Sequence, residues 1–176
     1  MAGRIAWAIT GAGHLIHECM ELIHTYDNLD LFFSKAGEEV IRIYKVGIKN
    51  FNGNVYRDKA ASAPICGAFA MGRYRLLIVA PATCNTVAKF VYGFSDSLIT
   101  NIFAQGGKAK VPMIVLPTDT EEEILTMGPK EPVWVYPRKI DLENVEKLRG
   151  MEYVTVVTNI DEMKAAIKKH LQVPVF

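Results

Sequence analysis

Small and hydroxyl-bearing residues fill a turn between the apolar run Leu76–Val79 and a segment of helical periodicity. The turn consists of Pro81, Ala82, Thr83, Cys84, Asn85 and Thr86. Because a helix begins here, its unpaired N–H groups and the positive end of its dipole favour an anionic ligand. Thr83 or Asn85 would also suit the cap that any helix needs. The segment alone leaves both interpretations open.

A second turn, residues 10–13, has the sequence Thr-Gly-Ala-Gly and follows the apolar stretch Ile5–Ile9. Paired glycines are typical of nucleotide-binding turns, but Ile16 stands where the third glycine of G-x-G-x-x-G belongs. The match is partial, and taken alone it is a weak signal.

Ser34 and Lys35 stand at the end of the second predicted strand, where a dinucleotide-binding fold places an acidic residue for the ribose. Their presence favours a mononucleotide phosphate over NAD. The hydroxyls of Thr10 and Ser34, with the amides of Gly11–Gly13, would form a neutral phosphate cradle. His14 follows the glycines directly, which would bring it near the phosphate or an incoming substrate.

One stripe of the first predicted helix carries His14, His17, Glu21 and His24. A metal site built from His17, Glu21 and His24 is one interpretation. A solvated or subunit-facing surface is the other, and we predict no metal. Hydrolysis is not indicated either, since no nucleophile elbow, P-loop, H-E-x-x-H or paired-carboxylate pattern occurs.

Three cysteines, Cys19, Cys66 and Cys84, are widely separated and form no C-x-x-C motif. This usage predicts a reducing compartment and argues against an iron–sulfur cluster bound by this chain alone. Cys84 lies in the presumed ligand turn, either as a small packing residue or as a thiolate whose pKa the helix N-terminus lowers.

The 176 residues fit a single domain spanning residues 1–176. Half of them are hydrophobic and only 22% are charged, which predicts an oligomer that buries part of the apolar surface. A net charge of +1 favours neither nucleic acid nor an anionic membrane. Met1–Arg4 leads straight into a strand pattern and no apolar run reaches bilayer length, so we expect a cytoplasmic protein outside the membrane.

Strand patterns alternate with helical periodicity along the whole chain. The predicted strands are Ile5–Ile9, Leu29–Phe33, Leu76–Ala80, Val111–Leu116, Pro132–Tyr136 and Tyr153–Val157. The predicted helices are His14–Tyr26, Ser34–Tyr44 with Ser34 as N-cap, Pro64–Gly72, Asn85–Gln105, Leu142–Leu148 and Ile160–Leu171, the last opened by Asn159 or Asp161. Residues 45–63 and the acidic stretch 121–123 are predicted loops. Whether the loop 45–63 closes over a substrate stays open.

This alternation predicts an α/β fold, a Rossmann-like (flavodoxin-like) three-layer sandwich with a mostly parallel sheet. Such sheets bind ligands beyond the carboxyl ends of their strands, where the strand order reverses. We therefore expect three turns to meet in one crevice, namely residues 10–13, 33–35 and 81–86.

Two motifs carry a resemblance to a known family. Pro81–Lys89 followed by Gly93–Thr100 resembles the P-A-S/T-A-N-T and G-x-x-D-x-L-x-T signature of the flavoprotein superfamily of homo-oligomeric FMN-containing cysteine decarboxylases. With the glycine turn and Ser34, the match covers most of residues 4–118. The resemblance implies a Rossmann-like parallel sheet, bound FMN, and assembly into trimers or dodecamers.

The resemblance also implies roles for individual residues. The FMN phosphate would be held by Gly11–Gly13, Ser34 and Thr83 or Thr86, and Asn85 would lie near the isoalloxazine. Ser95, Asp96 and Leu98 would border a flavin from the adjacent subunit, which would link assembly to flavin binding. The predicted cofactor-binding residues are Thr10, Gly11, Ala12, Gly13, His14, Ser34, Lys35, Pro81, Ala82, Thr83, Asn85, Thr86, Ser95, Asp96 and Leu98. No catalytic residue is predicted.

Two departures from the decarboxylase pattern bear on function. Gly67 occupies the position of the decarboxylases' catalytic histidine, and Leu116–Thr120 replaces their P-x-M-N-x-x-M-W motif. The opening Arg4–His14 is instead similar to archaeal flavoproteins of the archaeoflavoprotein A type and to FMN-dependent dihydromethanopterin reductases. That similarity implies electrons taken from a ferredoxin-like iron–sulfur donor and passed to a small-molecule or protein acceptor, including a pterin such as dihydromethanopterin.

Two alternatives stay open at this stage. One is a decarboxylase or prenyltransferase of the same superfamily, which the two departures disfavour. The other is a binding or structural protein that has kept the fold without its cofactor. The sequence names neither the final acceptor, nor the flavin potential, nor the number of subunits.

Overall fold

The order of strands and helices follows the predicted alternation in a computed structural model that describes residues 3–48, 51–59 and 64–172. The strands are β1 (Arg4–Ile9), β2 (Leu29–Phe33), β3 (Val55–Arg57), β4 (Tyr74–Ala82), β5 (Met113–Pro117), β6 (Ile124–Met127), β7 (Pro132–Val135) and β8 (Val154–Val156). The helices are α1 (Ile16–Ile23), α2 (Lys35–Ile43), α3 (Cys84–Val91), α4 (Leu98–Lys108), α5 (Lys139–Arg149) and α6 (Ile160–Gln172), with a 3₁₀ helix at Pro64–Ala68.

Six of the strands form one sheet in the order β3-β2-β1-β4-β5-β8, and every neighbouring pair in it is parallel. The chain leaves β1 toward β2 on one side and returns to β4 on the other, so the strand order reverses between β1 and β4. All six strands present their carboxyl ends at the same edge. The predicted α/β class is confirmed, and the sheet offers a ligand crevice at this edge.

Alternate residues of the central strands pack into two separate cores. In β1, Ala6 and Ala8 belong to one core, and Trp7 and Ile9 to the other. Each of these side chains is fully buried. Because both faces of the sheet are covered, the sequences of the central strands are unbroken apolar runs. Helices α1 and α6 cover the core around Trp7, while α3, α4 and α5 cover the opposite one. None of the described helices is long and apolar enough to cross a lipid bilayer.

The predicted single helix Asn85–Gln105 is wrong, because the structure has two helices, α3 and α4, in that stretch. Gly93 has a φ of +74°, a left-handed conformation that ends a helix and that glycine adopts without strain. Ser97 then starts α4 with a capping box, in which its side chain accepts from the Thr100 amide.

Other boundaries differ less. Helix α1 is shorter than predicted at both ends, and α5 begins at Lys139 rather than at Leu142. Strand β3 lies inside the predicted loop 45–63, of which residues 49–50 and 60–63 lie outside the described residues. The predicted strand Pro132–Tyr136 is present as β7, but it pairs with β6 in a separate antiparallel hairpin.

A buried carboxylate ties the strands together at their amino ends. Asp30 of β2 is fully buried and accepts hydrogen bonds from Arg4 at 2.7 and 3.0 Å and from the Tyr74 hydroxyl at 2.8 Å. The backbone and side-chain amides of Asn54 also donate to it. Burial alone would raise the pKa of Asp30, but these hydrogen bonds outweigh burial and hold its pKa below the ordinary value.

We expect Asp30→Asn to lower the free energy of unfolding by about 3–5 kcal/mol at neutral pH, because it leaves Arg4 and Tyr74 facing an uncharged group. Since the folded-state pKa of Asp30 is depressed, its contribution is present above the ordinary value near 3.8 and is lost as the pH falls through the folded value. Urea denaturation at neutral and acidic pH measures both effects. Asp161→Asn, at a side chain that is 95% exposed, is the matched control and should cost less than about 1 kcal/mol. Equal losses in the two variants would contradict this role for Asp30.

Candidate functional site

The turns that follow β1 and β4 are joined by one buried hydroxyl. Thr10 Oγ1 donates to the carbonyl of Pro81 at 2.9 Å and accepts from the amide of Thr83 at 2.9 Å. The backbone amide of Thr10 also donates to the Pro81 carbonyl. The threonine is only 1% exposed, so its hydroxyl holds the two turns together within the protein. Its predicted role as a direct phosphate ligand stays a prediction.

The start of α2 lies against the glycine turn. Ser34 caps this helix, as predicted, because its side chain accepts from the Gly37 amide at 2.9 Å. The Ser34 amide donates to the carbonyl of Ile9 at 3.1 Å, which holds the cap beside the end of β1. A Cβ added to Gly11 would lie 2.6 Å from the Cβ of Ala36, so this close approach requires glycine.

The start of α3 lies on the other side of the same turn. Thr83 is its N-cap, with the side chain accepting from the Thr86 amide at 3.2 Å and contacting the Thr86 hydroxyl at 3.0 Å. Pro81 and Ala82 are buried at the end of β4 and present only backbone to the turn. The three turns predicted to converge are therefore adjacent in the structure.

Four successive backbone amides of the glycine turn have no acceptor among the described residues. They belong to Gly11, Ala12, Gly13 and His14. Buried or half-buried N–H groups almost always have a partner, so a run of four points to a ligand or solvent at this place. Successive N–H groups in a turn, flanked by helix N-termini, are the arrangement that binds phosphate and other anions.

These residues line a cavity of about 360 Å³ at the carboxyl edge of the sheet. The glycine turn and the start of α3 form one side of it, with Tyr44, the C-cap of α2, close to Gly13. Thr118 and Asp119, which follow β5, form a second side. The Thr118 hydroxyl contacts the Asp119 carboxylate at 3.1 Å, and the Thr118 amide donates to the Ala82 carbonyl at 3.1 Å.

The β6–β7 hairpin forms the third side of the cavity. Its inner face presents Ile124, Thr126, Val133 and Val135, together with the turn residues Gly128 and Pro129. The opposite face carries large apolar side chains that are exposed, among them Leu125 at 54% and Trp134 at 56%. The inner wall of the cavity is thus mainly apolar, whereas the glycine turn opposite it is polar.

His14 connects the glycine turn to this hairpin. Its Nδ1 lies 2.8 Å from the hydroxyl of Thr126. Burial lowers the pKa of His14 below its ordinary value, while the nearby carboxylates of Glu18 and Asp119 oppose that shift. The imidazole therefore favours its neutral form.

Cys84 lines the cavity near an ion pair whose carboxylate is buried and whose arginine is exposed. Asp141 of α5 is 5% exposed and binds Arg138 at 2.8 and 2.9 Å. Burial raises the pKa of the Cys84 thiol, and the charges of Asp119 and Asp141 raise it further. The structure therefore favours the packing interpretation of Cys84 over a reactive thiolate.

Several predicted site residues lie away from this cavity. Asn85 and Lys35 are exposed on the first turns of α3 and α2, while Ser95 and Asp96 are exposed in the connection between α3 and α4. Asp96 pairs with Lys89 at 2.7 Å, and Leu98 is buried in the core. None of these side chains lines the cavity of this chain, and neither do those of Thr10, Ser34, Pro81, Ala82 and Thr86. The predicted contact of Ser95, Asp96 and Leu98 with a neighbouring subunit's flavin stays a prediction.

The histidine stripe is exposed at His17, Glu21 and His24. His17 packs edge-on against Tyr44, with ring centroids 6.1 Å apart. Over residues 3–48, 51–59 and 64–172, no three histidine, cysteine or acidic side chains are grouped as a metal site requires.

Sequence reasoning missed the cavity residues Tyr44, Thr118, Asp119 and Thr126. Thr118 and Asp119 follow β5, the neighbour of β4, so the rule that ligands bind at carboxyl ends would have found them. Thr126 gives no such signal, because it lies on a short strand that belongs to another sheet.

Comparison with protein families gives a match to the Flavoprotein family over residues 2–174. The chain is 37% identical over 141 residues to dihydromethanopterin reductase (acceptor) of Methanosarcina mazei. This match covers 72% of the chain but only 59% of the reductase, so the chain spans less than two thirds of that relative.

Solved structures agree with this match. The chain is similar to DmrB of Burkholderia xenovorans, solved in complex with FMN and described as a cubic protein cage for redox transfer. The two share 43% identity and a TM-score of 0.88, over 96% of this chain and 95% of DmrB. A dodecameric FMN-dependent UbiX-like decarboxylase from Escherichia coli O157:H7 shares the fold at 18% identity and a TM-score of 0.63, over 88% of this chain and 79% of the decarboxylase.

We expect Thr10→Val to lower the free energy of unfolding by about 1–3 kcal/mol, because valine leaves the Thr83 amide without its acceptor. Thr10→Ser is the matched control, since it keeps the hydroxyl and loses one buried methyl group, worth about 0.8 kcal/mol. Thermal or urea unfolding of the two variants makes the comparison. A serine variant as unstable as the valine variant would show that the methyl group, not the hydroxyl, matters here.

Proposed function

The chain belongs to the Flavoprotein family, and on that premise we propose that it binds FMN and works as an oxidoreductase or electron carrier. In this proposal it takes electrons from a ferredoxin-like iron–sulfur donor and passes them to a second acceptor, a pterin such as dihydromethanopterin. The similarity to DmrB, whose structure contains FMN, supports the cofactor. The similarity to a dihydromethanopterin reductase supports the acceptor class.

The run of unpartnered amides from Gly11 to His14 carries the proposal. These four residues line a cavity of about 360 Å³ together with Thr83 and Cys84 at the start of α3, where the helix dipole also favours an anion. The phosphate of FMN fits this donor set. We propose that these amides hold the phosphate together with the hydroxyls of Ser34 and Thr83 or Thr86.

The polar and apolar sides of the cavity suit a flavin nucleotide. A phosphate requires the polar glycine turn, whereas a flat aromatic ring system requires apolar walls such as those of Ile124, Val133 and Val135. When bound, FMN supplies the redox chemistry, since it exchanges electrons one at a time or in pairs. The role of the chain is then to bind the cofactor, orient it and limit its contact with water.

We propose that a separate iron–sulfur protein supplies the electrons. The three cysteines are separate, and the described residues contain no group of cysteine, histidine or acidic side chains placed to hold a metal, which agrees with a donor outside this chain. A cytoplasmic location fits such a donor and the free thiols.

We propose further that the chain forms a homo-oligomer. The exposed apolar face of the hairpin and the exposed aromatic residues Tyr92 and Phe94 offer surface for association. DmrB and the UbiX-like enzyme, described as a cage and as dodecameric, support this proposal.

Decarboxylation is less well supported. Gly67, at the position of the decarboxylases' catalytic histidine, offers no side chain to exchange a proton. A Cβ there would meet nothing within 4 Å, so packing does not require the glycine. The relationship to the UbiX-like decarboxylase, at 18% identity, extends to the fold alone.

We expect the purified protein to be yellow, to release FMN on denaturation, and to lose its visible flavin absorbance when reduced ferredoxin is added anaerobically. A spectrum of the fresh protein, identification of the released chromophore and a ferredoxin titration test each step. A protein that neither carries nor takes up FMN would contradict the cofactor. An FMN-loaded protein that no reduced ferredoxin can reduce would contradict the donor.

We expect Ser34→Ala and Thr86→Ala to weaken FMN binding by about 10- to 100-fold, since each removes one hydrogen bond to a charged group. His24→Ala is the control, because His24 is exposed and lies at the C-terminal end of α1, away from the glycine turn. Fluorescence titration with FMN gives the dissociation constants, and urea unfolding without FMN separates loss of the α2 cap from loss of a ligand contact. Equal affinity in all three variants would place the phosphate elsewhere.

A further inference from the structure

We propose that His14 is the proton-transfer residue of the cavity and that Thr126 positions its imidazole, an inference that rests on the proposed flavin-dependent reduction. His14 is the point where the glycine turn and the β6–β7 hairpin meet.

The contact between His14 and Thr126 leaves one ring nitrogen available. Nδ1 lies 2.8 Å from the Thr126 hydroxyl, and Nε2 has no partner among the residues that the structure describes. A threonine hydroxyl can either donate or accept, so it can keep this contact whether the imidazole is neutral or protonated. His14 can therefore gain and lose a proton at Nε2 without losing its orientation.

The rest of the cavity provides few other proton donors. Its other titratable side chains are Tyr44, Cys84 and Asp119. Phenols and carboxylic acids ordinarily ionise far from neutral pH, whereas imidazole ionises near it. Burial and the charges of Asp119 and Asp141 raise the pKa of Cys84, so its thiol keeps its proton. The inner face of the hairpin is mainly apolar and adds no titratable side chain.

The charges around His14 make its protonation depend on what occupies the cavity. Burial lowers its pKa, and the carboxylates of Glu18 on α1 and Asp119 after β5 oppose that effect. An anionic molecule bound at the glycine turn acts in the same direction as these carboxylates. His14 is then neutral in the free protein and takes up a proton when an anion binds.

Reduction of a pterin requires a proton donor such as protonated His14. Saturating one C=N bond takes up two electrons and two hydrogens, as a hydride on carbon and a proton on nitrogen. Bound FMN in its reduced, anionic form would supply the hydride and be left oxidised. The imidazolium of His14 donates the proton from Nε2, becomes neutral imidazole and recovers a proton from water, which balances the step.

Single-turnover oxidation with two acceptors tests the role of His14. FMN-loaded protein is reduced with dithionite and mixed with ferricyanide, which takes electrons without protons, or with 7,8-dihydropterin, whose C=N bond takes a hydride and a proton. We expect His14→Asn to lower the ratio of the dihydropterin rate to the ferricyanide rate by about 100-fold, in the range of general acid catalysis. Asparagine keeps a polar group for Thr126 but does not titrate.

His24→Gln, an exposed histidine of the segment after α1, is the matched control and should leave this ratio unchanged. An unaltered ratio in His14→Asn would overturn the proposal. Failure of the wild-type protein to bind FMN would instead overturn the proposed function, so the two failures are distinguishable.

The positioning role of Thr126 has a readout that needs no turnover. The ¹⁵N chemical shifts of an imidazole report which nitrogen carries the proton. We expect Thr126→Val to change the shifts and the titration midpoint of His14, and Thr126→Ser to restore both. In the wild-type protein, FMN should raise the midpoint. A valine variant with unchanged shifts and midpoint would show that Thr126 does not position His14, and a midpoint indifferent to FMN would contradict proton uptake.

Discussion

The Thr10 hydroxyl joins the ends of the two central strands, and the site depends on this one pair of hydrogen bonds. It donates to the end of β4 and accepts from the first residue beyond it, so the turns after β1 and β4 have a fixed separation. Thr83 is also the N-cap of α3, so this contact holds the start of α3 beside the glycine turn. The place at the glycine turn where an anion would be bound is therefore a consequence of the strand ends rather than of flexible loops.

Local signals account for the parts of the fold that could be predicted. Buried parallel strands give unbroken apolar runs, so the strands could be predicted from the sequence. The N-cap could be predicted because a serine hydroxyl such as that of Ser34 accepts a hydrogen bond from the first turn of a helix. The break between α3 and α4 was missed because Val91 and Leu98 continue a helical spacing across it. The left-handed Gly93 and the capping box at Ser97 override that spacing. Helix propensity averaged over a window of residues does not reveal that a single residue has a left-handed backbone conformation.

The candidate site also has parts that local sequence predicted and parts that it did not. The glycine turn and Thr83 were identifiable because their chemistry is encoded in consecutive residues. The contact of His14 with Thr126 joins positions 112 residues apart and was not predictable, since it depends on how a small second sheet lies against the first. A two-stranded hairpin has few interactions of its own to fix its place, so its position follows from tertiary contacts that no short pattern contains.

The Asp30 network lies at the amino ends of the strands, and the cavity lies at their carboxyl ends. Their separation has an evolutionary consequence. Loop exchanges at the carboxyl edge can alter which ligand the cavity accommodates while the anchoring charges at the far edge remain untouched. Such a scaffold can diversify what it binds with little penalty to its folding, and one sheet can thereby serve a lineage of proteins with unlike ligands.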